Sequence, residues 1–234
     1  MQTLEADRVP GDANVRPHDD MARHLALVAF STLCAALWVA RLKWAGPFMV
    51  FLWWNLFLAW VPWVLAVALR RVRGPAFAIV FCAWLGFFPN APYLVTDLVH
   101  LKPRLGVPLW FDVLLFASFA WAGCALGWDS LWKVQRELAH RFGRRLAALA
   151  VTACVGLCGV GVFLGRFERL NSWELVTDPL DVLRTSLDAL LDVRALAYSG
   201  AFALFVGAGY LFTRPRDVVS SPRDSQLDPR RDGR

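Results

Sequence analysis

The chain has 234 residues, 57% of them apolar, 14% aromatic and only 19% charged, with a formal net charge of +6. Soluble domains run at about 45–50% apolar and about 25% charged. Here the surplus apolar mass falls into long blocks split by short charged stretches, which excludes a water-soluble globule, a disordered chain, a collagen-like chain and a disulfide-stapled secreted domain.

The pattern predicts an all-α fold: a polytopic membrane helical bundle of six transmembrane helices with short interfacial helices. The first 23 residues are polar and of mixed charge, and are expected to form a disordered cytoplasmic tail. The six-helix membrane domain is expected over 24–212. Its first span covers His24 to Ala40 and is retained, because no small-x-small cleavage site follows its apolar run. The second runs from Pro47 to Leu69 and stops at Arg70-Arg71-Val72-Arg73-Gly74. The third starts at Pro75, is apolar to Phe88, breaks at Pro89-Asn90-Ala91-Pro92 and continues to Leu101. The fourth runs from Val107 to Trp128. A basic amphipathic segment over 128–145 follows, suited to an anionic inner leaflet. The fifth covers Leu146 to Gly165. Asp178-Pro179 then reads as an N-cap and first turn of an interfacial helix with a stripe of Leu180, Leu183, Leu187, Leu190 and Leu191. The sixth span is Ala195 to Phe212, and 213–234 is expected to be a disordered cytoplasmic tail.

Six spans put both termini on one side. That side collects 17 of the 25 Lys and Arg residues, which argues for cytoplasmic termini. The basic charge is thereby explained by topology, and no nucleic acid is expected as a partner. Cys34, Cys82, Cys124, Cys154 and Cys158 form no CxxC pair and read as small residues packed between helices. Gly123-x-x-x-Gly127 and Gly161-x-x-x-Gly165 let helix backbones approach closely, inside the bundle or at a seam with a second copy or a partner membrane protein.

Polar residues within a bilayer are costly, so their positions carry information. Asn55 and Asp112 lie inside the outer ends of spans two and four. After Pro92, an α-helix would place Tyr93, Thr96, Asp97 and His100 on one face, with Leu94, Leu98 and Leu101 opposite. Asn90 is placed to bond the backbone freed by the prolines. Span five delivers Arg166, Glu168, Arg169, Asn171 and Glu174 to the same outer side. The candidate site is this outer polar cluster, read either as the lining of a cavity or as a solvated and charge-paired structural face. A faint internal echo aligns Asn90-Ala-Pro-Tyr-Leu-Val-Thr-Asp97 with Asn171-Ser-Trp-Glu-Leu-Val-Thr-Asp178.

Several of these strings together resemble a known family. They are Trp54-Asn55-Leu56-Phe57-Leu58-Ala59-Trp60, the stretch from Phe88 to Leu101, Trp110-Phe111-Asp112, and Gly165-Arg166-Phe167 with Asn171-Ser172-Trp173-Glu174. The chain resembles, over about residues 38–212, the uncharacterised bacterial multi-pass membrane proteins catalogued as domain of unknown function 1361. Members often carry Arg directly before the Asn of the second span, where this chain has Trp54. The resemblance implies a bacterial inner membrane and a helical bundle, and brings no catalytic residue with it.

Three functions fit these residues. A scaffold or accessory protein would use the lipid bilayer and the glycine seams. A membrane-embedded enzyme at the outer leaflet would use His100 and Asp97 as base and orienter or as two metal ligands, with Glu168 or Asp112 completing the site. A small-solute transporter would use the broken third span. There is no HExxH, nucleophile elbow or Gly-rich phosphate loop, and His100 is the one outer histidine, so no metal or cofactor is expected.

Overall fold

A computed structural model describes residues 17–43 and 49–215. Helix α1 covers Pro17–Arg41, α2 Val50–Leu69 and α3 Pro75–Phe87. A single turn, α4 (Asn90–Tyr93), leads into a 3-10 segment, Leu94–His100. Helix α5 spans Leu109–Phe142, and α6 covers Arg144–Phe163 before a π turn at Leu164–Glu168. A short α7 (Glu174–Thr177), α8 (Pro179–Leu191) and α9 (Val193–Thr213) follow. Among the described residues six helical segments are long and apolar enough to cross a membrane, so this is an all-α polytopic bundle.

Local chemistry explains the punctuation. Gly74 at φ 59° turns the chain ahead of Pro75, whose missing N–H costs nothing at the first helical position. Asp178 caps α8 by accepting from the Asp181 amide, as the Asp-Pro pair predicts, and Asp192 caps α9 through the Arg194 amide. Helix α2 runs through a buried proline, Pro62.

Helix α5 is the hub. It packs against α1, α2, α4, the 3-10 segment, α6 and α9. One core cluster gathers Trp84, Phe88, Cys124, Leu131 and Cys158, and a second gathers Leu52, Leu56, Leu115, Phe116 and Phe119. The outward faces remain apolar, with Ile79, Leu149, Leu204 and Phe212 fully offered to the surroundings. Helices in lipid gain little from burying apolar area against each other, so close backbone approach matters more. The glycine pairs serve that purpose within the chain. Gly123 abuts the Ala91 carbonyl and Leu94, and Gly127 meets Ala91 and Pro92. Gly161 meets Pro89, and a Cβ on Gly165 would lie 3.3 Å from the Tyr93 ring. The broken segment after α3 is thus clamped between α5 and α6.

Several expectations are corrected. The first helix begins at Pro17, seven residues before His24, so 17–23 join the helix while 1–16 lie outside the described residues. The sixth span extends to Thr213, and 216–234 also lie outside them. Span four does not end at Trp128. It continues as one 34-residue helix, about 51 Å long at 1.5 Å per residue, because Asp129, Lys133, Arg136 and His140 keep its helical period. The basic stretch is therefore packed on the bundle, with Trp132, Lys133 and Leu138 buried, instead of lying flat as a separate interfacial helix. Four cysteines are buried, but Cys82 is exposed on α3, and all five are free thiols.

Candidate functional site

The segment after Pro92 departs from the α-helical reading. A 3-10 helix has three residues per turn, so Leu94, Asp97 and His100 line up, instead of Tyr93, Thr96, Asp97 and His100. Asp97 consequently turns inward beside Leu94, with 2% of its surface exposed, while Leu98 and Val99 face out; His100, the last residue of the inward row, is exposed although its ring leans on Phe51. Inside, it accepts a 2.8 Å hydrogen bond from Asn55 Nδ2 of α2. Residue 54 takes no part in this bond: Trp54 is exposed beside it, so no cation is needed next to Asn55.

Asp112 is also placed by a partner. Arg41, the last residue of α1, donates Nε to Oδ1 at 2.6 Å and Nη2 to Oδ2 at 3.2 Å. Both side chains are sealed from solvent, at 1% and 2% exposure. A bidentate guanidinium–carboxylate fork of this kind satisfies both charges where neither is wetted. Sequence reading missed Arg41, which looked like an ordinary flanking cation at the end of a span. The signal was available in the need to neutralise Asp112, but its partner lies 71 positions away.

Asn90 bonds the Phe87 carbonyl at 2.9 Å, as the proline break requires, and also reaches Ser172 Oγ at 2.7 Å. That second bond brings the two echoed segments side by side at one end of the bundle. Asn171 spends its own polar groups locally, donating its backbone N–H and Nδ2 to the Glu174 carboxylate. Thr96 bonds the Tyr93 carbonyl, and Tyr93 packs over Gly165. Arg166 is close enough to act electrostatically on Asp97. Glu168 and Arg169 are exposed and form no ion pair with another described residue.

Of the twelve candidates, Asn55, Asn90, Tyr93 and Asn171 share a cavity of about 360 Å³ between α2, α3, α6 and α8. Ser172 and Trp173 line it with them, and Val182, Ser186 and Leu190 of α8 form the outer wall. Asp97, His100 and Asp112 do not line this cavity. The relay expected of His100 and Asp97 is absent as well. His100 Nδ1 lies 3.2 Å from the Asp97 backbone carbonyl, not from its carboxylate, and the ring leans on Phe51. With Nδ1 donating, Nε2 is the basic nitrogen and points away from the acid. Among the described residues no group of three or more His, Cys, Asp or Glu side chains is arranged to hold a metal ion.

A second polar cluster, at the opposite end, went unnoticed in the sequence. Asp129 accepts from Trp63 Nε1 at 2.7 Å and pairs with Lys133 one turn on. His24 of α1 stands edge-on to Trp63. Reading 128–145 as a separate interfacial segment hid this face of α5.

A family model described as "Protein of unknown function (DUF1361)" matches residues 54–221. No curated protein and no solved structure matches the chain.

Proposed function

The chain belongs to the DUF1361 family, and we propose that it is a scaffold or accessory protein of the bacterial inner membrane. In this reading both termini are cytoplasmic and the Asn90–Asn171 end faces the periplasm. The charge bias of 17 against 8 Lys and Arg residues supports the orientation. One observation carries the role: the buried ionisable residues of the cluster are consumed by structural partners. Arg41 closes on Asp112 and Asn55 on Asp97, which supports a structural role for both buried acids. Those bonds tie α1 to α5 and α2 to the 3-10 segment, building a rigid platform beneath the exposed loops.

Single substitutions of Asp97, His100, Asp112 and Glu168 by Ala test this, with membrane level measured beside complementation of a knockout. Asp97→Ala and Asp112→Ala are expected to lower protein level. His100→Ala and Glu168→Ala are expected to keep both level and phenotype. Loss of phenotype in His100→Ala at normal level would replace the scaffold with an enzyme.

A second reading is favoured by the 360 Å³ cavity, whose apolar walls and amide-bearing end suit an amphipathic substrate or solute taken from the outer leaflet. Trp substitution at Ser186, on the wall formed by α8, fills it without touching the ion pairs. Loss of function in Ser186→Trp at normal level would favour this enzymatic or transport role.

A further inference from the structure

The Arg-rich end of the bundle holds a larger cavity, about 530 Å³, framed by the α2–α3 turn and the extended half of α5. Five cations line it, Arg70, Arg73, Lys133, Arg136 and Arg141, against two carboxylates, Asp20 and Glu137. These charges are not equivalent. Lys133 is committed to Asp129, and Arg141 to Glu137. Arg141 also donates to the carbonyls of Leu69 and Val72, at 3.3 and 2.8 Å, which fastens the α2–α3 turn to α5. That fastening holds Arg70 and Arg73 over the cavity, exposed and in no ion pair with a described residue. The excess is therefore positive and pre-organised, the arrangement that receives a phosphate group.

Trp132 marks where the cavity leads. Arg23, Lys133 and Arg136 surround its ring, with centroid distances of 5.1, 5.7 and 4.8 Å. The same indole lines a second space of about 300 Å³, an apolar groove between α1, α5 and the end of α9. Leu27, Phe30, Trp121 and Trp128 form its walls. A polyanion from solution would have no use for this groove, whereas a lipid has both parts. We propose that this end of the protein binds an anionic phospholipid, its phosphate held by Arg70 and Arg73 in the basic cavity and an acyl chain laid in the groove beyond Trp132. Arg141 is a positioning residue for the turn.

Native mass spectrometry of the full chain released from nanodiscs tests the site. Mixed phosphatidylglycerol and phosphatidylcholine are offered, and retained lipid is counted. About tenfold preference for phosphatidylglycerol is expected in the unaltered protein, falling to near parity in the Arg70→Gln/Arg73→Gln double variant. Both positions are exposed, so the variant is expected to fold, which its unchanged melting temperature would verify. The double variant Arg184→Gln/Arg194→Gln, on α8 and at the start of α9, removes the same two charges from exposed positions and should retain the preference. Ala125→Trp, which narrows the groove, should release long-chain phosphatidylglycerol while a short-chain form still binds. Equal retention of both lipids, or an undiminished preference in the double variant, overturns the proposal. Displacement by millimolar inorganic phosphate, with no effect of Ala125→Trp, would assign the cations to a soluble phosphate and overturn the lipid.

Discussion

Two stretches that share five of eight residues, Asn90 to Asp97 and Asn171 to Asp178, carry their acids into opposite environments. The first is clamped between the glycines of α5 and α6 and winds as a 3-10 helix that carries Asp97 inward to Asn55. In the second, Asn171, Trp173, Thr177 and Asp178 are exposed. Its Asn171 and Glu174 satisfy each other three residues apart, and its Asp178 caps α8 at the surface. Neighbours make the difference: the first segment lies against Gly123, Gly127 and Gly165 and meets Asn55, whereas the second bonds within itself and caps α8. A local motif therefore does not decide burial. The same Asp is a buried acceptor for a side chain in one place and a solvated helix cap in the other.

That contrast can be broken at its foundations. Removing one member of the Arg41–Asp112 fork leaves the other charge buried and alone, so Asp112→Ala or Arg41→Ala should cost about 3–5 kcal/mol. The double variant Arg41→Met/Asp112→Leu should recover most of it. Thermal unfolding in detergent measures both, and equal losses in the singles and the double would contradict the pairing. A smaller effect is expected where the clamp is overfilled. A methyl group at Gly123 meets the Ala91 carbonyl, so Gly123→Ala should lose about 1–3 kcal/mol. Gly156 has open space around its Cβ position, and Gly156→Ala should lose nothing. Similar melting points for the two would show that the segment after Pro89 is not clamped.

The paired acids sharpen the comparison directly. Asp97→Ala abandons a buried amide donor and is expected to cost about 1–3 kcal/mol across the whole bundle. Asp178→Ala removes a cap worth about 1 kcal/mol, and the loss should stay within α8. Hydrogen exchange separates the two cases: faster exchange in α2 and α5 for the first, in α8 alone for the second. Asn171→Ala should have the least effect, within about 0.5 kcal/mol, as expected for a surface position. A global loss from Asn171→Ala would put the second segment on the same footing as the first.

Much of this architecture was written in local patterns. Six apolar blocks, the cap at Asp178-Pro179 and the arrival of Asn90 and Asn171 at one end are all consequences of composition, helical period and strand-free hydropathy along the chain. Periodicity could not distinguish 3.6 from three residues per turn over seven residues, and so grouped Asp97 with Tyr93 and Thr96 instead of with Leu94. Nor did it join the basic segment after Trp128 to span four, where the apolar run ends, although Asp129 and Lys133 continue the same helix to Phe142 and bond to Trp63 and to each other. The sequence by itself determined where the chain is apolar, where helices start, and which residues are too polar to lie in lipid unpartnered. Only the tertiary structure decided the partners, Arg41 for Asp112 and Asn55 for Asp97, and which glycines receive the broken span. The reason is that desolvation demands a partner for each buried charge but does not name it. The choice falls to whichever distant side chain the packing of helices brings within hydrogen-bonding distance.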